Sequence, residues 1–179
     1  MEQAIVSRIT SSAARTRLDP QHASAHIDRL FRAAWALCGS RQDAEDLVQE
    51  TYARVLAKPR FLRNEDDLGY LLRTLRNTFL NQKRTQSRRL RTAPLADEQL
   101  EVVADPHATD PAAAVETGEV YAAVAALPAD YRDVLVAVDV TGLSYKETAR
   151  ALRIPEGTVM SRLYRARQQV VRQVEGEPE

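Results

Sequence analysis

One cysteine, three histidines and six glycines are all that the 179 residues hold of those types, and each scarcity removes a class of function. Cys38 has no partner for an intrachain disulfide, and because it lies in an apolar run it is expected to be a buried structural thiol. His22, His26 and His107 have no metal-ligand spacing, so no metal site is expected. There is no Gly-rich phosphate loop and no histidine paired with a nucleophile, so neither a cofactor nor an enzyme is expected. Long apolar runs are missing as well. Nothing approaches the roughly 18 residues that a membrane span needs. Residues 1–19 mix Glu2, Arg8, Arg15 and Arg17 with short polar side chains, which reads as a mobile start to a cytoplasmic chain without membrane insertion.

Net charge is absent too, since 25 Lys and Arg balance 25 Asp and Glu, yet the two signs are kept apart. Residues 68–96 contain no acid, while Arg73, Arg76, Lys83, Arg84, Arg88, Arg89 and Arg91 accumulate there. Residues 92–131 invert the pattern: no Lys or Arg appears, and Asp97, Glu98, Glu101, Asp105 and Asp110 lie among Pro94, Pro106 and Pro111. That first half reads as an acidic linker. A second basic segment follows, with Arg150, Arg153, Arg162, Arg165, Arg167 and Arg172 against a lone Glu156. Two positive lobes joined by a negative strap are the electrostatic footprint expected of a nucleic-acid binder.

Apolar residues recur at helical spacing. Ile27, Leu30, Phe31, Ala34 and Trp35 mark one helix, ended near Gly39. Leu47, Val48, Tyr52, Val55 and Leu56 form the apolar face of a second, opposite Asp46, Gln49, Glu50 and Ala53, and Pro59 closes it. Leu68, Leu71, Leu72, Leu75, Phe79 and Leu80 mark a third, with basic residues outside. The β-branched run VLVAVDV (134–140) has no partner strand and is expected to be helical against its propensity. Ser144 to Glu147 has the form of a capping box, and Pro155 fits the first position of a further helix with the inward stripe Val159, Leu163, Ala166 and Val170. Two helices joined by a tight turn make a helix-turn-helix candidate. Its outward residues Glu156, Thr158, Met160, Ser161, Arg162, Tyr164, Arg165 and Gln168 could meet base edges and phosphates. The plainer alternative is an amphipathic helix with a solvated basic face.

The segment LPADYRDVLVAVDVTGLSYKETARALRIPEGTVMSRLYRARQQV resembles domain 4 of bacterial sigma factors of the extracytoplasmic function (ECF) type. Independently, DAEDLVQETYARVL (43–56) resembles the core-polymerase-binding part of sigma domain 2, and YLLRTLRNTFLNQKRTQSRR (70–89) the part that recognises and opens the −10 element. The resemblance implies an all-α chain of two small helical domains, a domain 2 bundle and a domain 4 helix-turn-helix, joined by a flexible acidic linker. The expected bounds are a mobile start at 1–19, domain 2 at 20–91, the linker at 92–111 and domain 4 at 112–175.

It further implies that Glu45, Asp46, Gln49 and Glu50 dock on a coiled coil of the largest subunit of core RNA polymerase, although a solvated acidic face would look the same. For −10 DNA, held single-stranded, the implied contacts are Arg60, Phe61, Arg63 and Asn64 in the loop that receives a flipped base. Arg73, Arg76, Asn77, Asn81, Lys83 and Arg84 follow on the third helix, and Arg88 and Arg89 continue the track. Tyr70 and Thr74 stand where the family often has Trp and Ile. For duplex −35 DNA the candidates are Thr158, Met160, Ser161, Arg162, Tyr164 and Arg165. Met160 replaces a frequent Lys or Arg and favours contact with a thymine methyl over guanine, and Arg153 replaces the turn Gly. In the family the linker runs toward the RNA path of the polymerase; a solubilising tether would have the same composition. An anti-sigma partner is implied, any redox sensing would lie in that partner, and no extra C-terminal domain or obligate homo-oligomer is expected. The rival reading is a stand-alone helix-turn-helix regulator that binds an operator as a dimer, which leaves residues 43–56 without a role.

Overall fold

The computed structural model describes residues 15–18, 20–57, 61–63, 67–92 and 111–175. A first group of helices comprises α1 (Pro20–Ser24), α2 (Ile27–Cys38), α3 (Arg41–Leu56) and α4 (Asp67–Thr92). Leu30, Ala33, Ala34 and Leu37 of α2 are buried against Leu47, Val48 and Val55 of α3 and Leu68, Leu71, Leu72 and Leu75 of α4, as the apolar spacing requires. Ile27 and Leu56, counted with these faces from sequence, are instead exposed at the ends of their helices. The Gly39 N–H caps α2 by donating to the Trp35 carbonyl at 2.7 Å with φ at 75°, and a Cβ there would stand 3.1 Å from the Ala125 Cβ. Left-handed backbone and close approach both call for glycine at this position. The Tyr52 hydroxyl donates to the Ala23 carbonyl at 2.6 Å and ties α3 to α1.

A short ribbon departs from a purely helical expectation. β1 (Arg15–Arg17) pairs antiparallel with β2 (Phe61–Arg63), Arg15 opposite Arg63, and Leu18 behind it is buried. Part of the start expected to be mobile is therefore pinned by backbone hydrogen bonds. Two three-residue segments far apart in the chain carry no periodicity from which such pairing could be read. Residues 93–110, which hold nearly all of the expected acidic linker, lie outside the described residues, as do residues 1–14 and 19.

The second group comprises α5 (Pro111–Ala126), α6 (Ala129–Leu135), a π-helical turn (Val136–Val140), α7 (Tyr145–Leu152) and α8 (Glu156–Glu175). VLVAVDV is helical, as expected: the Thr141 N–H reaches the Val136 carbonyl five residues back at 3.0 Å, while Val134, Val136 and Ala137 are buried. The capping box is present, with the Ser144 N–H donating to Glu147 at 2.8 Å and the Glu147 N–H to the Ser144 hydroxyl at 3.3 Å. Helix α7 ends on Arg153, a non-glycine residue in the left-handed region at φ 59°, ψ 46°. Pro155 stands one residue earlier than expected: its carbonyl accepts from Thr158 and Val159 at 3.0 and 3.1 Å, so it caps α8 rather than opening it. Val159, Leu163 and Ala166 are buried as the inward stripe of α8.

The two groups pack on each other, α2 against α5 and the π-helical turn, and α4 against α7. Trp35 stacks on Tyr121 with ring centroids 4.5 Å apart. Arg132 places its guanidinium 5.2 Å from the centre of the Phe79 ring and donates from Nη1 to the Ala125 carbonyl at 2.8 Å; burial lowers its pKa from the usual value. Arg76 of α4 donates from Nε to Asp133 of α6 at 2.5 Å. The side chain of Asp133 is 6% exposed and that of Arg76 31%. Burial raises the Asp133 pKa above the ordinary carboxylate value, outweighing the opposing attraction of Arg76.

Candidate polymerase and nucleic-acid interfaces

Glu45, Asp46 and Gln49 of α3 are exposed, as a docking face requires. Glu50 is half-buried and already engaged: Arg54 pairs with one carboxylate oxygen, and Gln82 of α4 donates to the other at 2.6 Å. The last residue of the expected polymerase face is thus braced against the helix expected to meet DNA. Arg41 lies 3.5 Å from Glu45.

Helix α4 divides its expected DNA residues between two faces. Arg73, Asn77, Asn81, Arg84 and Arg88 recur at spacings of three and four and form one row, exposed from Asn77 onward. Arg73 lies over the Tyr70 ring at 5.7 Å, so the aromatic residue that stands in place of Trp supports a cation. Arg76 and Lys83 point elsewhere, Arg76 to Asp133 and Lys83 to the Phe79 ring at 5.7 Å. Lys83 also lines a cavity of about 220 Å³ with Cys38, Asp43 and Asp46. Burial, with the nearby Asp43 carboxylate, pushes the Cys38 thiol up to about 12, although the side chain, expected to be buried, is half-buried at the cavity wall. Arg60 and Asn64 lie outside the described residues; of Phe61, Arg63 and Arg89 only the backbone is described.

Helix α8 presents Met160, Ser161, Tyr164 and Arg165 outward, with Met160 52% and Tyr164 64% exposed and Thr158 half-buried beside them. The Gln168 amide donates to the Tyr164 hydroxyl at 2.8 Å and holds the ring along the helix. Three of the arginines of α8 are met from α6 or the π-helical turn. Arg162 donates to Asp130 at 2.6 Å, Arg165 to the Tyr131 hydroxyl at 3.4 Å, and Arg167 to both oxygens of Asp139 at 2.8 and 2.7 Å. Asp130, Tyr131 and Asp139 were not among the sequence candidates. They stand 32, 34 and 28 residues from their partners, beyond the reach of any local spacing.

An apolar groove of about 550 Å³ runs between α2, α5, the π-helical turn and α8, floored by Val124, Leu135 and Val170 and edged by Arg32 and Arg167. Among the described residues no helix is long and apolar enough to cross a membrane, and no group of His, Cys, Asp or Glu is placed to hold a metal ion.

A helical bundle followed by a capped helix-turn-helix is the arrangement of sigma-70 regions 2 and 4. The family described as Sigma-70 region 2 matches residues 23–89, and that described as Sigma-70, region 4 matches residues 117–170. The chain is 37% identical over 147 residues to the ECF RNA polymerase sigma factor SigE of Mycolicibacterium smegmatis, a match covering 81% of this chain and 57% of that relative's length. It is 33% identical over 144 residues to the ECF RNA polymerase sigma factor EcfG of Rhodopseudomonas palustris, covering 80% of this chain and 77% of the relative. The fold is shared with the sigma factor RpoE from Bartonella quintana, solved in complex with the anti-sigma factor NepR, at a TM-score of 0.72 and 24% identity over 88% of this chain and 97% of that one. It is shared also with CnrH, solved with the cytosolic domain of CnrY, at a TM-score of 0.63 and 22% identity over 88% of each chain. This chain belongs to the ECF RNA polymerase sigma factors of the sigma-70 family. That family is a non-enzymatic class of transcription initiation factors.

Proposed function

We propose that this chain binds core RNA polymerase in the cytoplasm and directs promoter-specific initiation, with residues 20–91 opening the −10 element and residues 112–175 reading the −35 element. The observation that carries the proposal is the presence, in one chain, of two separate exposed rows of basic and polar side chains, one on α4 and one on α8. Catalysis of RNA synthesis stays with the polymerase. On α3, Asp46 and Gln49 meet the largest-subunit coiled coil, with Glu45 beside them and Glu50 steadying the helix from behind. On α4, the row from Arg73 to Arg88 tracks the single-stranded backbone, and Asn77 offers an amide to a base edge. On α8, Arg165 and Ser161 supply polar contacts in the major groove, and Met160 supplies an apolar one suited to thymine. The groove between α2, α5 and α8 seats an apolar helix of an anti-sigma partner; RpoE, which shares the fold, was solved with the anti-sigma factor NepR.

Transcription in vitro from genomic fragments, with purified core polymerase and mapped RNA starts, tests this reading. New starts that share spaced −35 and −10 elements support it. Specific binding to duplex DNA by the chain alone, without core-dependent initiation, refutes it in favour of the dimeric regulator. Asp46→Arg should reduce holoenzyme assembly; normal assembly with weakened duplex binding would overturn the division of roles.

A further inference from the structure

Three arginines that α8 turns toward α6 and the π-helical turn are answered in chemically different ways. Arg162 is neutralised by the Asp130 carboxylate at 2.6 Å, and Arg167 by Asp139 through two hydrogen bonds. Among the described residues Arg165 meets the phenol of Tyr131, through Nη1 at 3.4 Å, and no carboxylate answers its charge. The body of Tyr131 is half-buried against the core, so packing fixes where its hydroxyl stands. Arg165 is otherwise an exposed, long and rotatable side chain. Anchoring Nη1 leaves Nε and Nη2 as a free two-donor edge, the geometry that binds O6 and N7 of guanine in the major groove.

We propose that Tyr131 is a positioning residue for −35 specificity: its hydroxyl, held by the packing of α6, orders the Arg165 guanidinium so that its remaining donors face the bases. This rests on the reading that α8 enters the −35 major groove. Ordering a side chain before binding lowers the entropy lost on contact, and it does so only for the base pair that this side chain reads. Tyr131 therefore acts on sequence preference at one position, whereas the ion-paired Arg162 and Arg167 brace α8.

The test uses holoenzyme reconstituted with the wild-type chain, Tyr131→Phe, Arg165→Ala or both changes, and a promoter set in which each −35 base pair is replaced in turn. Tyr131→Phe removes one oxygen and leaves the buried ring. It should weaken promoter binding roughly three- to tenfold, the worth of one typical side-chain hydrogen bond, and flatten the preference at the same base pair that Arg165→Ala flattens. The double variant should match Arg165→Ala alone. A Tyr131→Phe profile identical to wild type refutes the proposal, and so does a uniform loss at every position accompanied by a lower melting temperature, which marks a merely structural role. If Arg165→Ala leaves the −35 profile unchanged, the recognition role of α8 itself falls, a failure distinct from a silent Tyr131→Phe beside an active Arg165→Ala.

Discussion

Replacing Asp133 with alanine removes the one carboxylate that links α6 to Arg76 on α4 and leaves a guanidinium facing the joint between the two helical groups. Breaking a fully buried ion pair costs about 3–5 kcal/mol, whereas an exposed pair contributes at most about 1 kcal/mol. Arg76 keeps 31% of its side chain in water while Asp133 keeps 6%, so the orphaned cation can rehydrate in part and the cost falls between those limits, at about 2 kcal/mol. For a chain of this length that corresponds to a loss of about 4–8 °C in melting temperature. Asp133→Asn should cost about 1 kcal/mol or less, because its amide oxygen still accepts from Arg76 and no anion has to be desolvated. The carboxyl pKa is raised in the folded state, chiefly by burial, so the native chain holds this proton more tightly than the unfolded one. The stability from that site is fully present below the unfolded pKa and lost as pH rises through the folded pKa. The cost of Asp133→Asn relative to wild type should therefore be smallest at neutral pH and grow on acidification toward the ordinary carboxylate value of 3.8. Urea melts of the three proteins at neutral and acidic pH give both quantities. An Asn variant as unstable as the Ala variant at neutral pH would show that the charge itself holds the joint and that the dominance assigned to burial is mistaken.

Arg153→Gly should raise stability by about 0.5–1 kcal/mol, since φ 59° strains any residue with a Cβ; an unchanged or lowered thermal midpoint would count against that. Ser144→Ala should cost about 1 kcal/mol through loss of the cap on α7. The same hydrogen bonds from Ser144 lower the Glu147 pKa, so the deficit should be present above the unfolded value of 4.5 and shrink as pH falls through the folded value; a constant deficit in pH-dependent melts would contradict the assignment. Asp130→Asn releases Arg162 from its ion pair and should steepen the dependence of log affinity on log salt by about one for holoenzyme on promoter DNA, with an unchanged slope ruling out Arg162 as a latent phosphate contact.

Local signals in the chain carried most of the helices. Burial at Leu30, Leu71 and Val159 follows from spacing alone, and the Ser144 cap from residue type against helical context, whereas the left-handed turn at Arg153 was suggested only by the glycine that relatives carry at that position. The helical state of VLVAVDV was legible from its surroundings, but its π-helical turn was not, because the extra residue is accommodated by burial of Val136 and Ala137 against α2. Contacts that join distant segments left no periodic trace. Arg76 and Lys83 look like their neighbours on a basic helix, and only packing against α6 and Phe79 separates them from the row that begins at Arg73. Asp130 and Tyr131 likewise read as ordinary residues of a helix start until α8 is folded back onto them.

The stack of Trp35 on Tyr121 turns the joint into a built-in reporter. The chain has a single tryptophan, and it lies where α2 meets α5 rather than inside either group. Any event that parts the two groups exposes that indole to water and shifts its emission to the red, while unfolding confined to the end of α8 leaves it untouched. Opening can thus be followed by intrinsic fluorescence, without a label, during assembly with any partner whose own tryptophans have been replaced.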